Sequence, residues 1–117
     1  MEKFIIIFRK GPYGSVYPIE AARIIQGLMV MDMEAKAVFI DDGIYALTKN
    51  NNPKGINMAP VKLTIKNLEA LDVPMYVIED SLKERGLTQE DLDYNVNFIS
   101  LEELSNLLLE SDATITL

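Results

Sequence analysis

Two adjacent carboxylate pairs, Asp41-Asp42 and Glu79-Asp80, are the residues best suited by type to chemistry. Each pair follows an apolar run that reads as a β-strand, so both fall at strand ends. Carboxylates held together there would bind a hard cation through oxygen, or share a proton because like charges push one pKa upward. Aspartates after strands also cap the next helix, and this structural use is the commoner one. A second candidate is the loop Gly11-Pro12-Tyr13-Gly14-Ser15. Its N–H groups could cradle a small anion or nucleotide against the start of the following helix. It has neither the G-x-G-x-x-G nor the Walker spacing, and a chain reversal needs the same glycines, with Ser15 as a cap. The run Leu28-Met29-Val30-Met31-Asp32-Met33 offers soft thioethers, although packing at a helix end explains it more simply. Tyr13, Tyr17, Tyr45, Tyr76 and Tyr94 suit interface anchoring or ordinary partial burial.

The strongest chemical statement is an exclusion. The 117 residues contain no Cys and no His. Disulfides, thiolate nucleophiles, Cys/His zinc sites and imidazole general bases are therefore all ruled out. No cofactor or metal is expected, no residue is assigned a catalytic role, and the chain leans away from being an enzyme. Lys and Arg number 11 against 18 Asp and Glu, a net charge of −7, and the basic residues form no stripe. Such a chain repels phosphate backbones, which argues against nucleic acid as a direct partner. No stretch approaches the ~18 apolar residues of a membrane span, and Phe4 to Phe8 is too short for a secretory h-region, so a cytoplasmic protein is expected.

The elements that must position these residues follow from periodicity. Phe4 to Phe8 is an unbroken apolar run, the pattern of a strand buried on both faces in a parallel sheet. A helix is predicted from about Val16 to Met31, with a narrow polar stripe of Glu20, Arg23 and Gln26. Its remaining circumference is so apolar that one sheet face cannot cover it, which points to a subunit interface through Ile19, Ile24, Ile25 and Leu28. Ala35 to Ile40 reads as the second strand, Ile44 to Lys49 as a short helix, and Asn50 to Gly55 as a turn-rich loop. Pro60 opens a helix with Val61, Ile65, Leu68 and Leu71 on one face, followed by a strand at Met75 to Ile78. Ser81 with Glu84 and Ser100 with Glu103 make two capping-box patterns, and Gly86 suits a helix C-cap. Val96 to Ile99 and Ala113 to Leu117 complete five strands alternating with helices. The expected fold is one α/β domain over 1–117, a three-layer α/β/α sandwich around a mainly parallel, flavodoxin- or Rossmann-like sheet. Its ligand sites would lie beyond the carboxyl ends of the strands. A receiver-type reading fails, because that fold keeps its acidic pair after the first strand, where Arg9-Lys10 stands here.

Four segments carry a family resemblance. Gly11-Pro12-Tyr13-Gly14-Ser15 resembles the A-P-Y-G-S or A-P-H-G-T loop of DsrE/DsrF-like proteins of the TusC and YchN types. Asp41-Asp42-Gly43-Ile44 resembles their A-D-G-V after the second strand, and Ser81-Leu82-Lys83-Glu84-Arg85-Gly86-Leu87 is similar to S-L-R-E-R-G-L. The tail from Glu110 to Ile115 resembles their L-x-x-x-D-x-I-L-x-F ending. The four occur in family order over nearly the whole length. In the sulfur-carrying members a Cys at the end of the third strand holds a persulfide, whereas that neighbourhood here reads Val77-Ile78-Glu79-Asp80. The resemblance implies a non-catalytic subunit of a sulfur-transfer complex, beside a Cys-bearing partner, or a self-associating trimer or hexamer. The alternative is a homo-oligomeric module binding an anion or nucleotide at Gly11 to Ser15.

Overall fold

The computed structural model describes residues 2–9, 17–47, 59–92 and 94–116, with the side chains of 17–19, 21 and 59–64 outside that description. In chain order the elements are β1 (Lys3–Phe8), α1 (Tyr17–Val30), β2 (Glu34–Phe39), a 3₁₀ segment (Asp41–Leu47) and α2 (Ala59–Ala70). There follow β3 (Met75–Ile78), α3 (Glu79–Glu84), a 3₁₀ turn (Gln89–Asp91), β4 (Asn97–Ile99), α4 (Leu101–Glu110) and β5 (Ala113–Thr116). The described strands form one sheet in the order β4-β3-β2-β1-β5, and every neighbouring pair is parallel. This is the expected α/β architecture.

The order decides which face each helix covers. From β1 to β4 the chain steps across the sheet in one direction, then reverses to place β5 beyond β1. Right-handed crossovers put helices of opposite step on opposite faces. Ile25 of α1, Ile65 and Leu68 of α2 and Leu82 of α3 accordingly share a core cluster with Ile6, Phe8 and Phe39. Leu104 of α4 joins a second cluster with Ile5, Ile7, Val38, Ile78 and Ile99. Successive residues of β1 alternate between the two, which is why the run had to be apolar throughout. Each such side chain withdrawn from water contributes about 1.5–3 kcal/mol. The Phe8 and Phe39 rings stack with centroids 4.5 Å apart.

The helix ends explain themselves locally. Ser100 accepts a hydrogen bond from Glu103 N–H at 3.1 Å, and the Glu103 carboxylate accepts from Ser100 N–H at 3.3 Å, the reciprocal capping box. At the end of α3, Gly86 at φ 67° allows its N–H to reach the Lys83 carbonyl and Leu87 N–H to reach that of Leu82. The same closure ends α1 and α2, but with Asp32 and Asp72 at φ 60° in place of glycine.

The second capping box did not form where its pattern falls. α3 begins at Glu79, directly from β3, with Ile78 in the capping position and no side-chain cap. Ser81 is therefore inside the helix and buried, and its hydroxyl serves another partner. The short helix expected from Ile44 is a 3₁₀ segment beginning earlier, at Asp41. Leu71, expected on the buried face of α2, lies just past its end and is exposed, and the Val61 side chain lies outside the description.

Candidate functional site

The helices that follow β1, β2 and β3 pack on one face of the sheet and α4, after β4, on the other. Loops at the carboxyl edge of a parallel sheet converge, and ligand sites form there. The sequence Asp41-Asp42-Gly43 reaches this edge because Ile40 N–H donates to the Phe8 carbonyl at 3.1 Å and Gly43 N–H donates to Ile40 at 3.0 Å. Gly43 packs against the end of β1 so closely that a Cβ would overlap the Phe8 carbonyl oxygen and lie 2.6 Å from its carbon. A glycine is required there for approach rather than for φ.

Asp41 and Asp42 then meet α3. Asp41, at φ 53°, donates its N–H to the buried Ser81 hydroxyl at 3.1 Å. Arg85 donates from Nε and from a terminal nitrogen to the same Asp42 oxygen, at 3.2 and 3.0 Å, and from its other terminal nitrogen to the Ser81 carbonyl at 3.1 Å. Its side chain is only 17% exposed. Arg9, after β1, stands 3.7 Å from Asp41 in a more open ion pair. The ends of β1, β2 and β3 are thus joined by two arginines and a serine. Glu79 and Asp80 open α3, where negative charge is favoured by the helix dipole. Glu79 is half-buried and Asp80 exposed.

This arrangement binds the loops to one another more than it prepares a reaction. Asp42 has its charge engaged by Arg85, and Ser81 accepts a backbone proton with no imidazole anywhere in the chain to activate it. Among the described residues, no group of three or more His, Cys, Asp or Glu is placed to hold a metal ion. The carboxylate-based cation site weighed for Asp41, Asp42 and Glu79 is therefore not assembled among them. The other sequence candidates, Gly11, Tyr13, Gly14 and Ser15, lie outside the described residues. Ser81 ends the loop Glu79 to Ser81, one of the strand-end segments where a site is expected, whereas nothing in the sequence marks Arg9 and Arg85 as members of this cluster. Arg85 and Asp42 are 43 positions apart, and nothing in local spacing marks such a pair.

The interface expectation needs correction at one residue and narrowing at others. Ile25 is fully buried in the chain's own core and has no surface to offer a partner. Ile24 and Leu28 are partly buried against that same core, and the Ile19 side chain lies outside the description. Among the described residues, the uncovered apolar surface of this region lies at the end of α1, where Val30 is 87% and Met31 64% exposed.

The DsrE/DsrF-like family model matches residues 2–117. The chain belongs to that family. The protein named intracellular sulfur oxidation protein DsrF, from Allochromatium vinosum, is 36% identical over 128 residues, spanning 97% of this chain and 94% of that protein. Protein TusC from Buchnera aphidicola is 31% identical over 117 residues, 98% of each chain. The crystal structure of the ychN protein from E. coli superposes over the full length of both chains with a TM-score of 0.86 at 22% identity, which establishes the fold of this DsrE/DsrF-like chain. Asp41-Asp42-Gly43 and Ser81 to Leu87, two of the four segments that carry the resemblance, are tied together here by Ser81 and Arg85.

Proposed function

We propose that this chain is a non-catalytic, cytoplasmic subunit of a DsrE/Tus-type sulfur-transfer complex, assembled with a Cys-bearing relative in a trimer- or hexamer-based particle. The observation that carries the reading is a combination: near full-length similarity to a DsrF and to TusC proteins in a chain without a single cysteine. Persulfide carriage needs a thiolate, and at the end of β3 this chain places Glu79 and Asp80. Its own contribution is then shape and electrostatics. The Arg85 and Ser81 contacts keep the carboxyl-edge loops in one conformation, as a positioning subunit requires. No helix among the described residues is long and apolar enough to cross a membrane. The DsrF and TusC relatives favour this reading over the anion- or nucleotide-binding module. A sulfur-labelling experiment tests it: with a cysteine desulfurase and labelled cysteine, the isolated chain stays unlabelled, while the chain purified from its host brings the label in on an accompanying protein. Stable label on this chain itself, or none on any companion, would reject the proposal.

A further inference from the structure

α1, α2 and α4 all end at the amino edge of the sheet, because each precedes a parallel strand. A helix carboxyl end is the negative end of its dipole, and proteins ordinarily place Lys or Arg in the last turn to offset it. None of these three has a basic residue in its last turn. Each is followed instead, two residues past its end, by an exposed aspartate: Asp32, Asp72 and Asp112. Asp112 accepts a hydrogen bond from Lys3 N–H at 2.7 Å, whereas among the described residues no ion pair offsets Asp32 or Asp72. Of the lysines nearby, Lys36 is already drawn to Glu34 at 3.9 Å.

The same edge bears the largest concentration of uncovered apolar side chains among the described residues. Val30 is 87%, Met31 64% and Leu71 46% exposed. Val30 and Leu71 line an open groove of about 540 Å³ between the ends of α1 and α2, with Gln26, Met29, Asn67 and Ala70 as its other walls. An apolar groove beside Asp32 and Asp72 selects for an apolar anchor carried on a positively charged surface.

We infer that this amino edge is a docking surface for a cationic protein segment that inserts an apolar side chain between the ends of α1 and α2. A second copy of this chain is a poor occupant. Two such edges face to face would juxtapose the like charges of Asp32 and Asp72. The inference does not depend on the partner being a sulfur carrier, and it survives if the subunit reading fails.

Fluorescence anisotropy with a labelled amphipathic helical peptide of leucine and lysine, and with its leucine–glutamate counterpart, tests it. The lysine peptide binds and the glutamate peptide does not. Val30→Ser with Leu71→Ser weakens binding at least about tenfold, as loss of an apolar anchor should. Asp32→Asn with Asp72→Asn weakens it too and flattens its dependence on salt. Leu109→Ser, removing a more exposed leucine on α4 across the sheet, changes nothing, and melting temperatures show that all variants fold. Equal binding of the two peptides, no binding of the lysine peptide, or equal damage from Leu109→Ser would overturn the inference. So would native mass spectra showing a homo-oligomer that Val30→Ser with Leu71→Ser dissolves, since the occupant would then be a second copy.

Discussion

Replacing Gly43 by Ala, beside the same replacement at Gly27, separates two effects that one methyl group can have. At Gly43 the new Cβ would overlap the Phe8 carbonyl oxygen, stand 2.6 Å from its carbon and 3.3 Å from Arg9 N. All three are backbone atoms of β1, which is held on one side by β2 and on the other by β5, so no side chain can swing away. Relief requires lifting the 3₁₀ segment and losing the Ile40 to Phe8 hydrogen bond, about 1 kcal/mol, on top of overpacking strain of about 1–3 kcal/mol. A stiffer unfolded chain returns only about 0.4–1 kcal/mol. The net loss is about 2–3 kcal/mol, or roughly 10 °C in melting temperature for a domain of this size. At Gly27, exposed in the last turn of α1 with nothing within 4 Å of the new Cβ, the substitution should instead stabilise by up to about 1 kcal/mol. Urea unfolding followed by circular dichroism at fixed protein concentration measures both. Gly43→Ala within about 0.5 kcal/mol of the parent, or the same sign at both glycines, would refute the packing argument.

Further outcomes follow from the same contacts. Ser100→Ala removes one half of the capping box on α4 and should cost about 1 kcal/mol in urea unfolding, whereas Ser81→Ala orphans a part-buried Asp41 N–H and should cost about 1–3 kcal/mol. Asp72→Gly places the residue favoured at φ 60° and removes a carboxylate from a helix carboxyl end, so it should raise the melting temperature, with no change or a fall counting against it. Burial, and secondarily the nearby Glu34 charge, raise the Tyr76 pKa above its ordinary value. The neutral phenol is thus favoured in the fold, so its contribution is intact below the unfolded-state pKa and lost as pH climbs through the higher folded one. Tyr76→Phe should flatten that alkaline loss in a pH series of melting temperatures, and an unchanged slope would remove Tyr76 as its source.

The sheet was readable because burial on both faces leaves an unmistakable apolar run, as in Ile5-Ile6-Ile7, and because α4 starts with a capping box that nothing else competes for. Ser81-Glu84 shows the limit of the same rule. The pattern is identical, but β3 passes into α3 without a loop, so the serine falls inside the helix and its hydroxyl goes to Asp41. Periodicity marks α1 as too apolar for one sheet face, yet it does not tell that Ile25 is satisfied within the chain's own core while, among the described residues, the uncovered surface gathers at Val30 and Met31. That distinction depends on where α1 and α2 end relative to each other, a tertiary fact. Asp41 and Asp42 were identifiable as residues at a strand end. Their engagement by Ser81 and Arg85 was not, because it joins segments about forty positions apart through side chains that look unremarkable locally.

On the proposed reading, this cysteine-free chain works beside a Cys-bearing relative. Native mass spectrometry of tagged protein recovered from its own host tests it most directly, with proteomic identification of every companion. The expected result is a particle of defined stoichiometry containing a DsrE-like subunit with cysteine. A monomer, or an assembly of this chain alone, would contradict it.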